Sequence, residues 1–238
     1  MGEIGKEKTF WLVTAFCFFT IAAAYPFSGM EPPLAAGSFI AYYKGALSSR
    51  GMLFLLPVIA ALPAGASYVR ESSNGFLKLY AVRISRADYI KRKTLLIYAG
   101  GFLPFLIAGS LALLAGFLFL FPLEAKGEIA LSAVWDAVGM QLRICFMGGI
   151  LAEVSGTFAA VFCSYDMAYG LPFVCYCLLI ILKERYLPEL YAMYPGEWML
   201  AEAYWGADGS GIWVFFLAFS AAACLMQGLA LWMRLREI

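Results

Sequence analysis

Two ionisable side chains, Arg143 and Glu153, stand inside one apolar run of this chain, residues 137–163. A charge at membrane depth faces a cavity or a partner and is functional by default, so the pair forms a candidate intramembrane polar site. Arg143 lies early enough in its run to carry its guanidinium outward along an alkyl stem. Glu153, flanked by Gly148-Gly149 and Ser155-Gly156, is the better placed for a polar contact at a helix interface or along a substrate path. Other chemistries fail on residue supply. Histidine is absent, which removes His-dependent triads, the zinc-protease helix motif and His metal sites. The six cysteines, at 17, 145, 163, 175, 177 and 224, all fall in apolar runs, where thiols pack between helices, and their spacing gives neither a disulfide framework nor a metal site. Asp166 lacks the second aspartate that a proton-sharing hydrolytic pair requires, since Asp208 lies in a polar connection. A phosphate-binding loop needs Gly-Lys followed by Ser or Thr, and the Lys-Thr pairs present, Lys8-Thr9 and Lys93-Thr94, follow Glu7 and Arg92. The chain itself is therefore expected to be no enzyme and to hold no cofactor or metal.

The elements that must position these residues follow from composition. At 238 residues, 63% hydrophobic and 14% charged, with a mean hydropathy of +0.80, the chain holds more apolar material than a soluble domain of this size buries. The expected fold is all-α: a single polytopic membrane helical bundle over residues 1–238. A span needs about 20 apolar residues, fewer where the bilayer thins or flanking residues snorkel. Six runs meet this, at 10–25, 51–66, 95–121, 137–163, 168–182 and 212–233. The second and fifth are short and contain Pro57, Pro63 and Pro172, so neighbouring helices must satisfy the carbonyls that proline frees. The first run ends in Ala22-Ala23-Ala24, as a cleavable leader does, but its flank of Glu3, Lys6, Glu7 and Lys8 is neutral rather than basic, and a retained first helix is expected.

Charge orients the bundle. With both termini and the segment 67–94 on one side, that side holds eleven basic residues against five in the opposite connections, Lys44, Arg50, Lys126, Lys183 and Arg185. The positive-inside rule then puts both termini in the cytoplasm. Glu124, Glu128, Glu184, Glu189, Glu197, Glu202 and Asp208 fall outside. Residues 164–167 form a tight inner turn that makes the fourth and fifth spans antiparallel neighbours. The outer segment 183–211, with Tyr186, Tyr191, Tyr194, Trp198, Tyr204 and Trp205, has the composition of chain resting among lipid headgroups. Small residues at four-residue spacing, Ala60/Ala64, Ala61/Gly65 and Ala108/Ala112, permit close helix approach and a dimer.

The inner segment 67–94 carries seven basic and two acidic residues. Within it, residues 74–83 read as a short amphipathic helix, with Phe76, Leu79 or Tyr80, and Arg83 at helical spacing. Its order is Arg70-Glu71, Gly75-Phe76-Leu77, Val82-Arg83-Ile84-Ser85-Arg86, Tyr89 and Arg92-Lys93, between the second and third of six spans. This resembles the permease subunits of ABC type-2 transporters. A second stretch is similar to the small bacterial branch of that family: Tyr169-Gly170-Leu171-Pro172-Phe173, Lys183-Glu184-Arg185-Tyr186 and Tyr194-Pro195-Gly196-Glu197-Trp198. The resemblance covers most of the chain, although many members have a proline where this chain has Arg83-Ile84-Ser85.

The resemblance implies a coupling helix that seats in a cleft of a separate ATPase subunit, with Phe76, Leu79, Tyr80 and Arg83 docking and Glu71 and Gly75 setting the helix entry. It implies a second permease, identical or related, and two ATPase subunits that hold the ATP and magnesium. It further implies a bacterial plasma membrane and export of an amphipathic peptide, antibiotic or lipid-like substrate. Membrane lipid is an expected partner and nucleic acid is not, because topology accounts for the basic segment. The alternatives are a non-transporting membrane protein that recruits or senses a cytoplasmic partner, and an ion-driven secondary transporter.

Overall fold

The computed structural model describes residues 8–25, 33–75, 84–125, 127, 130–206 and 209–236. They form helices α1 (Lys8–Ala23), α2 (Ser38–Leu47), α3 (Arg50–Ala61), α4 (Ser67–Ser73), α5 (Arg86–Leu120), α6 (Leu131–Phe162), α7 (Tyr165–Arg185), α8 (Pro195–Leu200) and α9 (Gly211–Arg236). Among the described residues the one β feature is an isolated bridge, Leu34 with Glu124. Four helices, α5, α6, α7 and α9, are long and apolar enough to cross a membrane, and α2 with α3 makes a fifth if that pair, bent by 56°, counts as one. The 16 residues of α1 are shorter, reaching about 24 Å at 1.5 Å per residue. The molecule is thus an all-helical, membrane-embedded protein.

The second expected span, 51–66, differs most from the structure. Its chain path begins earlier, at α2, within what the sequence reads as an outer connection. Lys44 interrupts the apolar run there and hides it, yet Phe39, Ile40, Tyr43, Ala46 and Leu47 line a buried face of α2, and Lys44 reaches Asp136 on α6 at 3.8 Å. The bend falls at Ser48-Ser49, where extended Ser49 caps α3 by accepting the Met52 N–H. Pro63 lies in the turn after α3, not inside a helix. The inner turn between α6 and α7 is also tighter than expected: only Cys163 and Ser164 remain, with Cys163 in the left-handed region at φ 51°.

Helix α6 is the axis of the bundle. Of its most apolar window 72% is buried, against 17% for α7, and it packs on α5, α9, α7 and α3. Its approach to α5 is backbone to backbone: a Cβ added at Gly101 would meet the Gly148 carbonyl oxygen at 2.3 Å. Rods consecutive in the chain alternate in direction. Phe10 clusters with Ala99 and Tyr25 donates to the Ala112 carbonyl, so α1 runs parallel to α5, whereas α2 and α3 descend from Phe117 and Phe121 to Gly100. The small residues Ala60, Ala61, Ala64, Ala108 and Ala112 are buried in the chain's own core. Their close packing is used inside this chain.

The prolines in helices bear on the packing as well. Pro172 has no N–H for the Ala168 carbonyl four residues back. Ser155 of α6 supplies the missing donor, Oγ to O at 2.6 Å, in full burial. Gly65 makes room for that hydroxyl, since a Cβ there would stand 2.1 Å from Ser155 Oγ.

Candidate functional site: an intramembrane polar cluster and an inner clamp

At the end of the bundle that the charge bias of the sequence assigns to the inner side, α4 and the start of α5 are fastened to each other. The Glu71 carboxylate accepts from Lys93 Nζ at 2.8 Å and from the Tyr89 hydroxyl at 2.6 Å. Lys93 is buried to 5% exposure and Glu71 is partly exposed. Tyr68 and Tyr89 pack with Ala160, Ala230, Leu231 and Leu235, joining the clamp to α6 and α9. Ser85 starts α5 with a reciprocal cap, accepting the Asp88 N–H and donating to its carboxylate. Gly75, just past α4, has φ +71° with open space where a Cβ would sit, so its backbone conformation is what requires glycine. Phe76, Leu79, Tyr80 and Arg83 lie outside the described residues.

The other two expected site residues do not come together. Arg143 and Glu153 are ten positions apart on α6, about 15 Å along its axis. Arg143 is a helix cap: its Nε donates to the Met199 carbonyl at 3.0 Å and a terminal nitrogen to Leu200 at 3.4 Å. Those are C-terminal carbonyls of α8 that lack donors in their own helix. The outer segment folds inward around this cap. Trp198 is buried against Phe215 and Phe219 and donates to Ala192, while Glu197 accepts from the Ala203 and Trp205 N–H groups. Of the aromatic residues of this segment, Tyr186, Tyr191 and Tyr204 are exposed. Glu124, expected simply to face outside, caps α2 by accepting the Gly37 and Phe39 N–H groups.

Glu153 sits in the interior, where α5, α6 and α9 meet. Three faces converge there. Gly149 and Gly156 flank it on α6; a Cβ at Gly149 would touch the Tyr98 ring of α5, and one at Gly156 would stand 3.0 Å from Gln227 Nε2 of α9. Tyr98 and Thr94 share a face of α5, one turn apart, and Ser220, Cys224 and Gln227 share a face of α9. The Tyr98 hydroxyl and Ser220 Oγ are hydrogen-bonded at 3.0 Å. Glu153 and Gln227 both have 0% exposure. Among the described residues, neither carboxylate oxygen of Glu153, neither polar atom of the Gln227 amide, nor the Thr94 hydroxyl has a hydrogen-bond partner. The carboxylate lies near the Tyr98 backbone but outside hydrogen-bond geometry.

Gln227, Thr94 and Ser220 escape a reading based on charge because each is neutral. The signal that finds them is a hydrogen-bonding side chain inside an apolar run, and Gln141 obeys the same rule: its amide donates to the Phe105 carbonyl at 2.6 Å and accepts from Tyr43 at 2.6 Å. All six cysteines are free thiols. Fold and site together define a polytopic helical membrane protein with a polar interior. Comparison of the chain with family models and with curated proteins found no match.

Proposed function

We propose that this chain is the permease subunit of an ATP-driven exporter, with six spans, both termini cytoplasmic, and ATP hydrolysed by two separate subunits. In this reading α1 and the bent α2–α3 pair each cross the bilayer, completing six alternating rods. The observation that carries it is the inner clamp. The Glu71 carboxylate holds Lys93 and Tyr89, so the two helices that flank residues 76–83 are one mechanical unit. A force applied to that segment by a docked ATPase would move α4 and α5 together and, through Gly101 against Gly148, would reach α6. The resemblance of 67–94 to a coupling loop supplies the docking partner. A second permease, identical or related, completes the pathway, and the substrate class is an amphipathic peptide, antibiotic or lipid-like molecule.

Co-purification from the native host tests this. A tagged chain should capture an ATP-binding subunit, and Phe76→Ala with Tyr80→Ala should uncouple ATP hydrolysis from transport. Absence of any ATPase, or full coupling in the double variant, counts against the proposal. The buried carboxyl of Glu153 favours one rival, an ion-driven transporter, which predicts transport that persists without ATP and follows an ion gradient.

A further inference from the structure

Glu153 poses a problem in charge balance. Its side chain is fully buried, and an ion stripped of water without a counter-charge costs several kcal/mol even after relaxation. Among the described residues no counter-charge pairs with it. The titratable groups facing it are Tyr98 from α5 and Cys224 from α9, both neutral in their ordinary states. Lys93, the buried cation on that part of α5, is held by Glu71, and its neighbours Lys91 and Arg92 are exposed. Gln227, fully buried one turn from Cys224, adds an amide oxygen without a partner, and Thr94, one turn from Tyr98 on α5, carries a further hydroxyl without one. Buried polar atoms are rarely left unsatisfied in folded proteins. Here they come from three helices and include a full formal charge.

We propose that the interface of α5, α6 and α9 is a cation site in which Glu153 supplies the charge, Gln227 Oε1 a neutral oxygen ligand, and the bound ion is a proton or a sodium ion. Both ions answer the same need, a positive charge small enough for a packed interface. A sodium ion is a hard cation that prefers oxygen ligands, and the carboxylate and the amide both offer oxygens. A proton needs only the carboxylate and leaves an O–H to donate to the amide oxygen. The proposal is independent of the permease reading, because ion binding to the isolated chain involves no ATP.

The purified full chain in detergent micelles distinguishes the two ions. Infrared spectroscopy at neutral pH reads the carbonyl stretch of a protonated carboxylic acid, and thermal unfolding in sodium chloride against choline chloride of equal ionic strength reads sodium. For a proton, the wild-type chain shows an acid band that is lost in Glu153→Gln, and Tm is the same in both salts. For sodium, the band is absent and Tm is higher in sodium chloride. A hundredfold excess over Kd then raises the folding equilibrium constant about a hundredfold, and Glu153→Gln abolishes the difference. Gln227→Leu keeps the carboxyl and must shift the band or shrink the sodium difference. If Glu153→Gln does not fold, Glu153→Asp, which draws the carboxyl back by one methylene, must do the same. A wild-type chain with neither signal overturns the proposal, and so does a signal that survives unaltered in these variants.

Discussion

Removing the Ser155 hydroxyl tests how this bundle tolerates proline. The hydroxyl donates to the Ala168 carbonyl at 2.6 Å, with both residues fully buried. Pro172 is why that carbonyl lacks its helical donor. Leaving a buried acceptor unsatisfied costs about 1–3 kcal/mol, while interhelical hydrogen bonds in a bilayer average about 0.6 and reach about 1.7 kcal/mol. The overlap puts Ser155→Ala at about 1.5 kcal/mol, roughly a tenfold loss in the folding equilibrium constant. Pro172→Ala restores an N–H that can bond to Ala168 within α7. In that background the same Ser155→Ala change should cost under about 0.5 kcal/mol, giving a coupling of about 1 kcal/mol in the double-mutant cycle. Unfolding of the four proteins by sodium dodecyl sulfate in mixed micelles measures each term. An equal cost of Ser155→Ala in both backgrounds would falsify the link between the hydroxyl and the proline.

The inner clamp should respond asymmetrically. Glu71→Ala takes the carboxylate away from an ammonium that is 5% exposed and from the Tyr89 hydroxyl, whereas Lys93→Met leaves a partly exposed carboxylate that water can reach, so Glu71→Ala should cost clearly more than Lys93→Met; equal costs in thermal unfolding would contradict the burial difference between the partners. At the outer end, Glu124→Ala removes the acceptor for the first N–H groups of α2 and should destabilise that helix by about 1 kcal/mol. Faster amide exchange at Gly37 and Phe39, with exchange in α9 unchanged, is the expected signature.

Long apolar runs were legible because a span is defined by length and hydropathy alone. Thus α5, α6, α7 and α9 appear in the structure close to where the sequence puts them. The bent entry of the second rod was not, since Lys44 breaks the apolar run; in the structure its side chain is 40% exposed beside Asp136, off the buried face of α2. Glu153 was visible as a charge among glycines, and those glycines prove to be what admits Tyr98 and Gln227. Its companions could not be read, because which faces of α5 and α9 meet α6 depends on packing between helices far apart in sequence. Arg143 illustrates the converse. Its charge was obvious, but its target, a carbonyl row at the end of the short helix α8, exists only once the outer segment has folded.

Arg234 of α9 donates through Nε to the Ala160 carbonyl at 2.9 Å and through a terminal nitrogen to Val161, closing the last turn of α6. The consequence concerns the order of biogenesis. Helix α6 is synthesised about 70 residues before the side chain that completes its inner end, and Gln227, which faces the Glu153 region, comes from the same late helix. During translation, which proceeds from the N-terminus, the central rod of this protein therefore waits with open carbonyls and a buried acid until α9 arrives. A ribosome stalled before α9 should leave a bundle in which α5, α6 and α7 have inserted but α6 remains open to protease at its inner end.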